Sequence, residues 1–349
     1  MDALRLEGCR LDAVKAGPKY LFLDLYPRCN LLCAFCNGQK PASPATAPFL
    51  RYDALARVID EAAELRVEEV LLTGDGEPTL HPDFARIIAR LRSAPVSIGM
   101  TTNGAFAERL QPSVAAVHYL NINFSAPDEA LYRRVQNPAG PSLYGRVVRN
   151  IRMLARRART RSREGKLTLV YIVNALNYKA VLGALAFARG AGVPAVKFRR
   201  MEPTPDNKKI ELSQSQRREL LDIIARAPAG DPVEHNLPDL RRQFAPPGRR
   251  LALMKACFTG YFNASVGIDG TVVACCANAA LRMGNISEAT LRRIWESSAA
   301  RRVRQAGKYG FSPSRPPFGP ACAYCYWAVE NAALARRTFA SASAAAAGS

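Results

Sequence analysis

Six short apolar runs, each followed by an amphipathic segment, constrain the fold of this chain more than any other feature. Strands are predicted at 20–26, 68–73, 96–101, 117–124, 167–173 and 195–200. Helical patterns follow at 51–66, 82–93, 128–136, 143–160, 179–190 and 214–226. In these, apolar residues recur every three to four positions instead of every two. Pro82 suits a first helical turn, and Gly190 and Gly192 suit a helix end. Strand-then-helix repeats build a parallel sheet through right-handed crossovers. Six such units, against the eight of a complete barrel, predict an open, partial one over residues 20–227.

The pattern breaks after residue 227. The prolines and charges of PAGDPVEHNLPDLRRQFAPPGRR mark a connector over 228–256. Beyond it, NASVGIDGTVVACC has two β-prone arms around Asp269-Gly270, a hairpin signal. A helix is predicted at 288–305, and 331–349 is read as a tail ending in the low-complexity FASASAAAAGS. Residues 1–19 form an N-terminal extension. The hydrophobic fraction of 48% is ample for a core. No run of eighteen apolar residues occurs, and MDALRLEGCR lacks the apolar centre of a signal peptide. A soluble, cytoplasmic protein is therefore expected, in which cysteines stay reduced and serve metal binding or catalysis before disulfides.

Three of the nine cysteines fall within eight residues, Cys29-Asn-Leu-Leu-Cys-Ala-Phe-Cys36, just after the first strand. Three thiolates so close can hold three irons of a [4Fe–4S] cluster and leave the fourth open to a small molecule. A four-cysteine zinc site would need a nearby fourth cysteine, and the next along the chain is Cys257. The second strand ends in Thr73-Gly-Asp-Gly-Glu-Pro78, where glycines permit close backbone approach to a ligand and a Glu can pair with an ammonium. The third ends in Thr101-Thr-Asn-Gly104 and the fourth in Asn121-Ile-Asn-Phe-Ser125. These are the strand ends where parallel sheets bind ligands.

Together these motifs resemble the signature of the radical S-adenosylmethionine (SAM) enzymes. The resemblance implies Cys29, Cys33 and Cys36 as cluster ligands, with SAM chelating the open iron. It implies Phe35 near the adenine, Gly76 and Glu77 at the SAM amino group, and contacts from Ser125 and Asn103. Gly74 ranks below Gly76, because Gly-Asp-Gly departs from the common Gly-Gly spelling. Asn174 and Arg199, at the ends of strands five and six, are further candidates. Cys257 and Cys275 have seventeen residues between them, Gly270 stands five before Cys275, and Cys322 and Cys325 form a C-x2-C pair. This set resembles the twitch form of the SPASM domain, with one further [4Fe–4S] cluster over 257–330; zinc on the same ligands is the alternative. The implied fold is α/β, a partial (βα)6 TIM-like barrel followed by a small twitch/SPASM-like β-hairpin-plus-helix domain. Cys9 reads as an incidental thiol. Cys276 is read as packing, an alternative ligand or a hydrogen-atom donor, and strand alternation would point it away from Cys275.

The resemblance implies a 5′-deoxyadenosyl radical made from SAM with a one-electron donor such as flavodoxin or ferredoxin. Similarity to twitch enzymes of aminoglycoside and nucleoside antibiotic biosynthesis favours a small carbohydrate-like substrate (an aminocyclitol, sugar or nucleoside) and a dehydrogenation. Epimerisation and decarboxylation of a sugar acid are the alternatives, as is a peptide-modifying enzyme, although only nineteen residues precede the first strand. A dehydrogenase needs a base, for which His118, Glu202 and His235 are candidates. The net charge of +20 leaves room for an anionic substrate. Thiolates on iron would offset part of it. Its densest segment, 146–166, reads first as a solvated helix face, and no RNA-binding module accompanies it. Neither nucleic acid nor membrane is an expected partner.

Overall fold

The computed structural model describes residues 2–36, 49–110, 117–136, 141–159, 166–228, 230–244, 254, 256–312, 317–319, 322, 325, 328, 331–335 and 338. Its strands are β1 (Tyr20–Asp24), β2 (Glu69–Thr73), β3 (Ser97–Thr102), β4 (Tyr119–Asn123), β5 (Lys166–Val173) and β6 (Ala195–Arg200). A two-residue β7 (Glu234–His235) follows, then β8 (Asn263–Val266), β9 (Thr271–Val273) and β10 (Arg282–Asn285). Among the described residues these form one sheet in the order β10-β9-β8-β1-β2-β3-β4-β5-β6-β7. Strands β1 to β7 run parallel, as the alternation predicted. The partial-barrel reading holds.

The crossover helices are α2 (Tyr52–Glu64), α3 (Phe84–Ser93), α4 (Glu129–Val135), α5 (Tyr144–Arg159), α6 (Val181–Ala191) and α7 (Gln214–Ala225), and α1 (Asp2–Leu11) precedes them. In α2, Leu55, Val58, Ile59 and Ala62 make one buried stripe in the same core as Leu21, Leu23, Val70 and Leu72. Burial contributes about 1.5–3 kcal/mol for each large apolar side chain. Gly192 ends α6 in the left-handed conformation (φ 74°), where a glycine avoids the Cβ penalty. In α5, Val147, Ile151 and Leu154 are buried while Arg149, Arg152 and Arg156 are exposed. The basic segment is thus a solvated face as far as it is described; residues 160–165 lie outside the described set.

Four readings change. The segment read as a connector contributes β7, which pairs with β6, and a helix α8 (Leu237–Gln243). The predicted helix at 288–305 is two, Leu291–Glu296 and Ser298–Gly310. Ser297 is extended between them, and its side chain accepts from Ala300 N–H to start the second. The hairpin gains a third strand, β10, and β8 pairs in parallel with β1, so the C-terminal unit continues the barrel sheet. The tail read from 331 begins as helix: Asn331 is buried and accepts from Phe258 N–H at 2.6 Å, and Ala335 packs with Cys9 and Tyr261. Residues 339–349 lie outside the described set. Among the described residues no helix is long and apolar enough to cross a membrane.

Candidate active site

The loop after β1 carries Cys29, Cys33 and Cys36, each half-buried. It is tied down from two sides. Ala34 N–H donates to Val135 O (2.8 Å) and Cys33 Sγ lies 3.3 Å from Gln136 O, fixing it to the end of α4. From β3, Asn103 Nδ2 donates to Asn30 Oδ1 (2.9 Å) and approaches Cys29 Sγ at 3.4 Å. The three cysteines, Phe35, Gly76, Glu77, Asn103, Asn123, Arg200 and Glu202 line a cavity of about 290 Å³ at the C-terminal ends of the strands. Parallel sheets bind their ligands there.

The Gly-Asp-Gly-Glu turn after β2 forms another wall. Gly74 has φ +137°, and a Cβ on it would meet Asp24 Oδ1 at 2.0 Å. A Cβ on Gly76 would meet Tyr26 O at 2.0 Å, so only glycine lets this backbone pass. Glu77 is buried (2% exposed). Its Oε1 accepts from Thr79 N–H (3.1 Å), Thr79 Oγ1 (2.6 Å) and Thr102 Oγ1 (2.7 Å), and its Oε2 from Asn103 N–H (2.8 Å). Burial raises its pKa, and these donors oppose the rise. Glu77 therefore joins the ends of β2 and β3 and leaves lone-pair capacity on Oε2 for a ligand donor.

Asp24, at the end of β1, accepts from Asp75 N–H at 3.2 Å. Burial first, with smaller repulsion from Asp75 and Asp269, pushes its carboxyl up to about 7 from an ordinary 3.8. The folded state then holds a proton that the unfolded chain releases earlier. That stabilising contribution is complete below about pH 4 and is lost as pH rises through about 7. Asp24→Asn is expected to flatten the stability profile over that window. Near pH 8 it should raise stability by up to about 4 kcal/mol, read by urea denaturation.

The second cysteine set surrounds the hairpin. Cys257 N–H donates to Gly307 O (2.8 Å), its Sγ lies 3.3 Å from Thr259 Oγ1, and burial pushes its thiol up to about 11. Cys257, Cys275 and Cys322 are electrostatic neighbours. Cys325 N–H donates to Cys322 O, and Asn278 Nδ2 lies 3.7 Å from Cys322 Sγ. Among the described residues no three His, Cys, Asp or Glu side chains converge on a position for one ion. A cubane cluster places each thiolate on a different iron.

Residues 23–188 match the Radical SAM superfamily, and residues 257–326 match SPASM, an iron-sulfur cluster-binding domain. This chain carries a radical SAM domain followed by a SPASM-type iron–sulfur domain. Its cofactors are SAM and [4Fe–4S] iron–sulfur clusters. The GTP 3′,8-cyclases of Cronobacter sakazakii and Klebsiella pneumoniae are 44% and 43% identical to it over 97 residues. That stretch is 27% of this chain, which thus spans 29% of the length of these curated relatives. In fold the radical SAM protein is similar to Streptococcus suis SuiB bound to precursor peptide SuiA. The TM-score is 0.60 at 14% identity, over 85% of this chain and 69% of that one. It is similar also to native anSMEcpe with bound AdoMet, with TM-score 0.60 at 16% identity, over 89% and 87% of the chains.

The residues present suit these cofactors: three thiols on one anchored loop, a backbone cradle at Gly76, and a carboxylate beside it. Phe35 lines the cavity and packs with Val135, Met201 and Ile210. Ser125 is fully buried behind the wall, where its Oγ accepts from Ile172 N–H (2.9 Å). Asn123, two residues earlier on β4, reaches the cavity in its place. Asn174 caps its own turn, accepting from Leu176 N–H, and Arg200 rather than Arg199 lines the cavity. Of the three candidate bases only Glu202 is in the lining. His118 precedes β4 and accepts from Ile98 N–H, so it stands at the opposite, N-terminal end of the strands. His235 pairs with Val196 near the start of β6, also at that end. Their assignment as bases does not survive the geometry. Cys276 lies beyond β9, so strand alternation does not govern it; it is exposed, with Glu202 and Arg199 among its charged neighbours.

Proposed function

We propose that this radical SAM enzyme dehydrogenates a small, polar, carbohydrate-like molecule at the C-terminal mouth of the barrel. The observation that carries the reading is that a cation, Arg200, and a carboxylate, Glu202, both line the cavity that the three cysteines also line. In this reading Cys29, Cys33 and Cys36 hold one cluster, and Gly76, Glu77, Asn103 and Phe35 seat SAM, with Ser125 positioning Asn123. Cys257, Cys275, Cys322 and Cys325 hold the second cluster. When bound, these groups supply a 5′-deoxyadenosyl radical and an acceptor for one electron. Arg200, already held by Glu211 at 2.8 Å, orients the substrate's oxygens or a carboxylate. Glu202 takes the proton released as the carbinol becomes a carbonyl.

Anaerobic incubation with aminocyclitols, sugars, sugar acids, nucleosides and peptides, following 5′-deoxyadenosine, tests the substrate class. With a substrate in hand, Glu202→Gln is expected to lower product formation about 100-fold while iron content and SAM binding persist. Unchanged turnover would remove Glu202 from the mechanism. The exposed Cys276 supports a second reading, epimerisation with its thiol as hydrogen donor. Turnover in deuterium oxide decides between them: deuterium at an inverted carbon, lost in Cys276→Ala, makes the enzyme an epimerase. The fold shared with SuiB and anSMEcpe is why peptides belong in the screen.

A further inference from the structure

Tyr132, on α4, is fully buried (0% exposed), with its ring against Phe124 and Tyr144 at centroid distances of 6.1 and 5.7 Å. The hydroxyls of the other buried tyrosines Tyr171, Tyr178 and Tyr261 reach Asn177 O, Glu219 and Asp12. Among the described residues the Tyr132 hydroxyl has no hydrogen-bond partner. A buried hydroxyl without a partner carries its full desolvation cost, and phenylalanine would make the same ring contacts without it. Something in the loaded protein is expected to accept this proton.

The surroundings say what. One turn beyond Tyr132, Val135 O accepts from Ala34 N–H and Gln136 O meets Cys33 Sγ, so α4 is bound directly to the CNLLCAFC loop. Leu131 and Cys33 belong to the same small apolar cluster as Val135 and Phe35. Burial first, then Cys33 and Cys29, raise the phenol's pKa.

We propose that Tyr132 O–H is a hydrogen-bond donor to a sulfur of the cluster held by Cys29, Cys33 and Cys36. It thereby eases the cluster's one-electron reduction. The inference rests on those cysteines holding that cluster. A hydrogen bond to sulfur favours the more negatively charged, reduced state. Tyr132 is a positioning and tuning residue here, since it touches neither SAM nor substrate.

The test is Tyr132→Phe in the full chain, reconstituted anaerobically in deuterium oxide and reduced with dithionite. The reduced electron-spin-resonance signal that shifts on adding SAM identifies the relevant cluster. If wild type shows no such signal, the cluster assignment itself fails. With the signal present, the variant is expected to be harder to reduce by about tenfold in the equilibrium constant, or about 59 mV for one electron. It should also lose an exchangeable deuteron coupling in electron–nuclear double resonance. The apoprotein of the variant should melt no lower than wild-type apoprotein, because no partner is lost there. An unchanged potential with the coupling retained would overturn the proposal. So would a destabilised apoprotein, which would reveal a partner within the protein.

Discussion

Replacing Cys29, Cys33 and Cys36 together by alanine is expected to abolish SAM cleavage and remove about half the iron. Wild-type protein, reconstituted anaerobically, should carry about eight irons per chain, and the triple variant about four. The expectation follows from two thiol sets on different parts of the chain. The first lies on the loop after β1, the second around β8 to β10 and residues 322–325. The three cysteines are only half-buried, so truncating them removes little core volume. The apo fold should therefore survive, and a normal far-ultraviolet spectrum would show it. Iron and sulfide assays read the count directly. Full iron content in the triple variant would refute the first ligand set, and zinc at the second would refute an electron-transfer role there.

Glu77→Ala is expected to be the most damaging single substitution at the cavity. Four donors converge on one buried carboxylate, and two of them are backbone N–H groups that cannot turn elsewhere. Each orphaned N–H costs about 1–3 kcal/mol, so a loss of roughly 2–6 kcal/mol in unfolding free energy is expected. SAM affinity should fall as well, by about 1.5–3 kcal/mol if the ammonium also uses this carboxylate. Glu77→Gln should recover only part of the stability, because its amide NH2 would face one of the same donors. Urea denaturation and equilibrium SAM titration read the two effects separately. A stable Glu77→Ala variant with weakened SAM binding would show that the carboxylate serves the ligand alone.

Much of this was legible because the barrel writes itself locally. Each strand from β1 to β6 is a compact apolar run, and each crossover helix shows its stripe within one window. What was missed carries little local signal. Strand β7 is Glu234-His235, with no apolar residue, and β10 reads Arg-Met-Gly-Asn, with a glycine where a branched side chain would announce a strand. The pairing of β8 with β1 joins distant segments, which no local pattern encodes. At the site, the cysteines and the Gly-Asp-Gly-Glu turn could be read because their spacing is the chemistry. Side chains that reach the cavity depend on strand phase. Asn121 and Asn123 share one face of β4, and Asn123, at the strand's end, reaches the cavity while Ser125 lies past that end. His118 sat at the start of a predicted strand, so its distance from the C-terminal mouth was already implied by the direction of the chain.

The parallel pairing of β8 onto β1 has a consequence for how the molecule is made. Strand β1 is synthesised early, and β2 covers one of its edges soon afterwards. Its other edge, Tyr20 to Leu23, waits for Asn263 to Val266. Until then the nascent chain presents an open row of backbone donors and acceptors flanked by Leu21 and Leu23, a template for pairing with another chain. Closing so long a loop is also slow, since its entropy is lost before any pairing is gained. That edge is thus covered only when the iron–sulfur unit arrives, which makes the C-terminal domain the guard of the N-terminal domain's oldest edge.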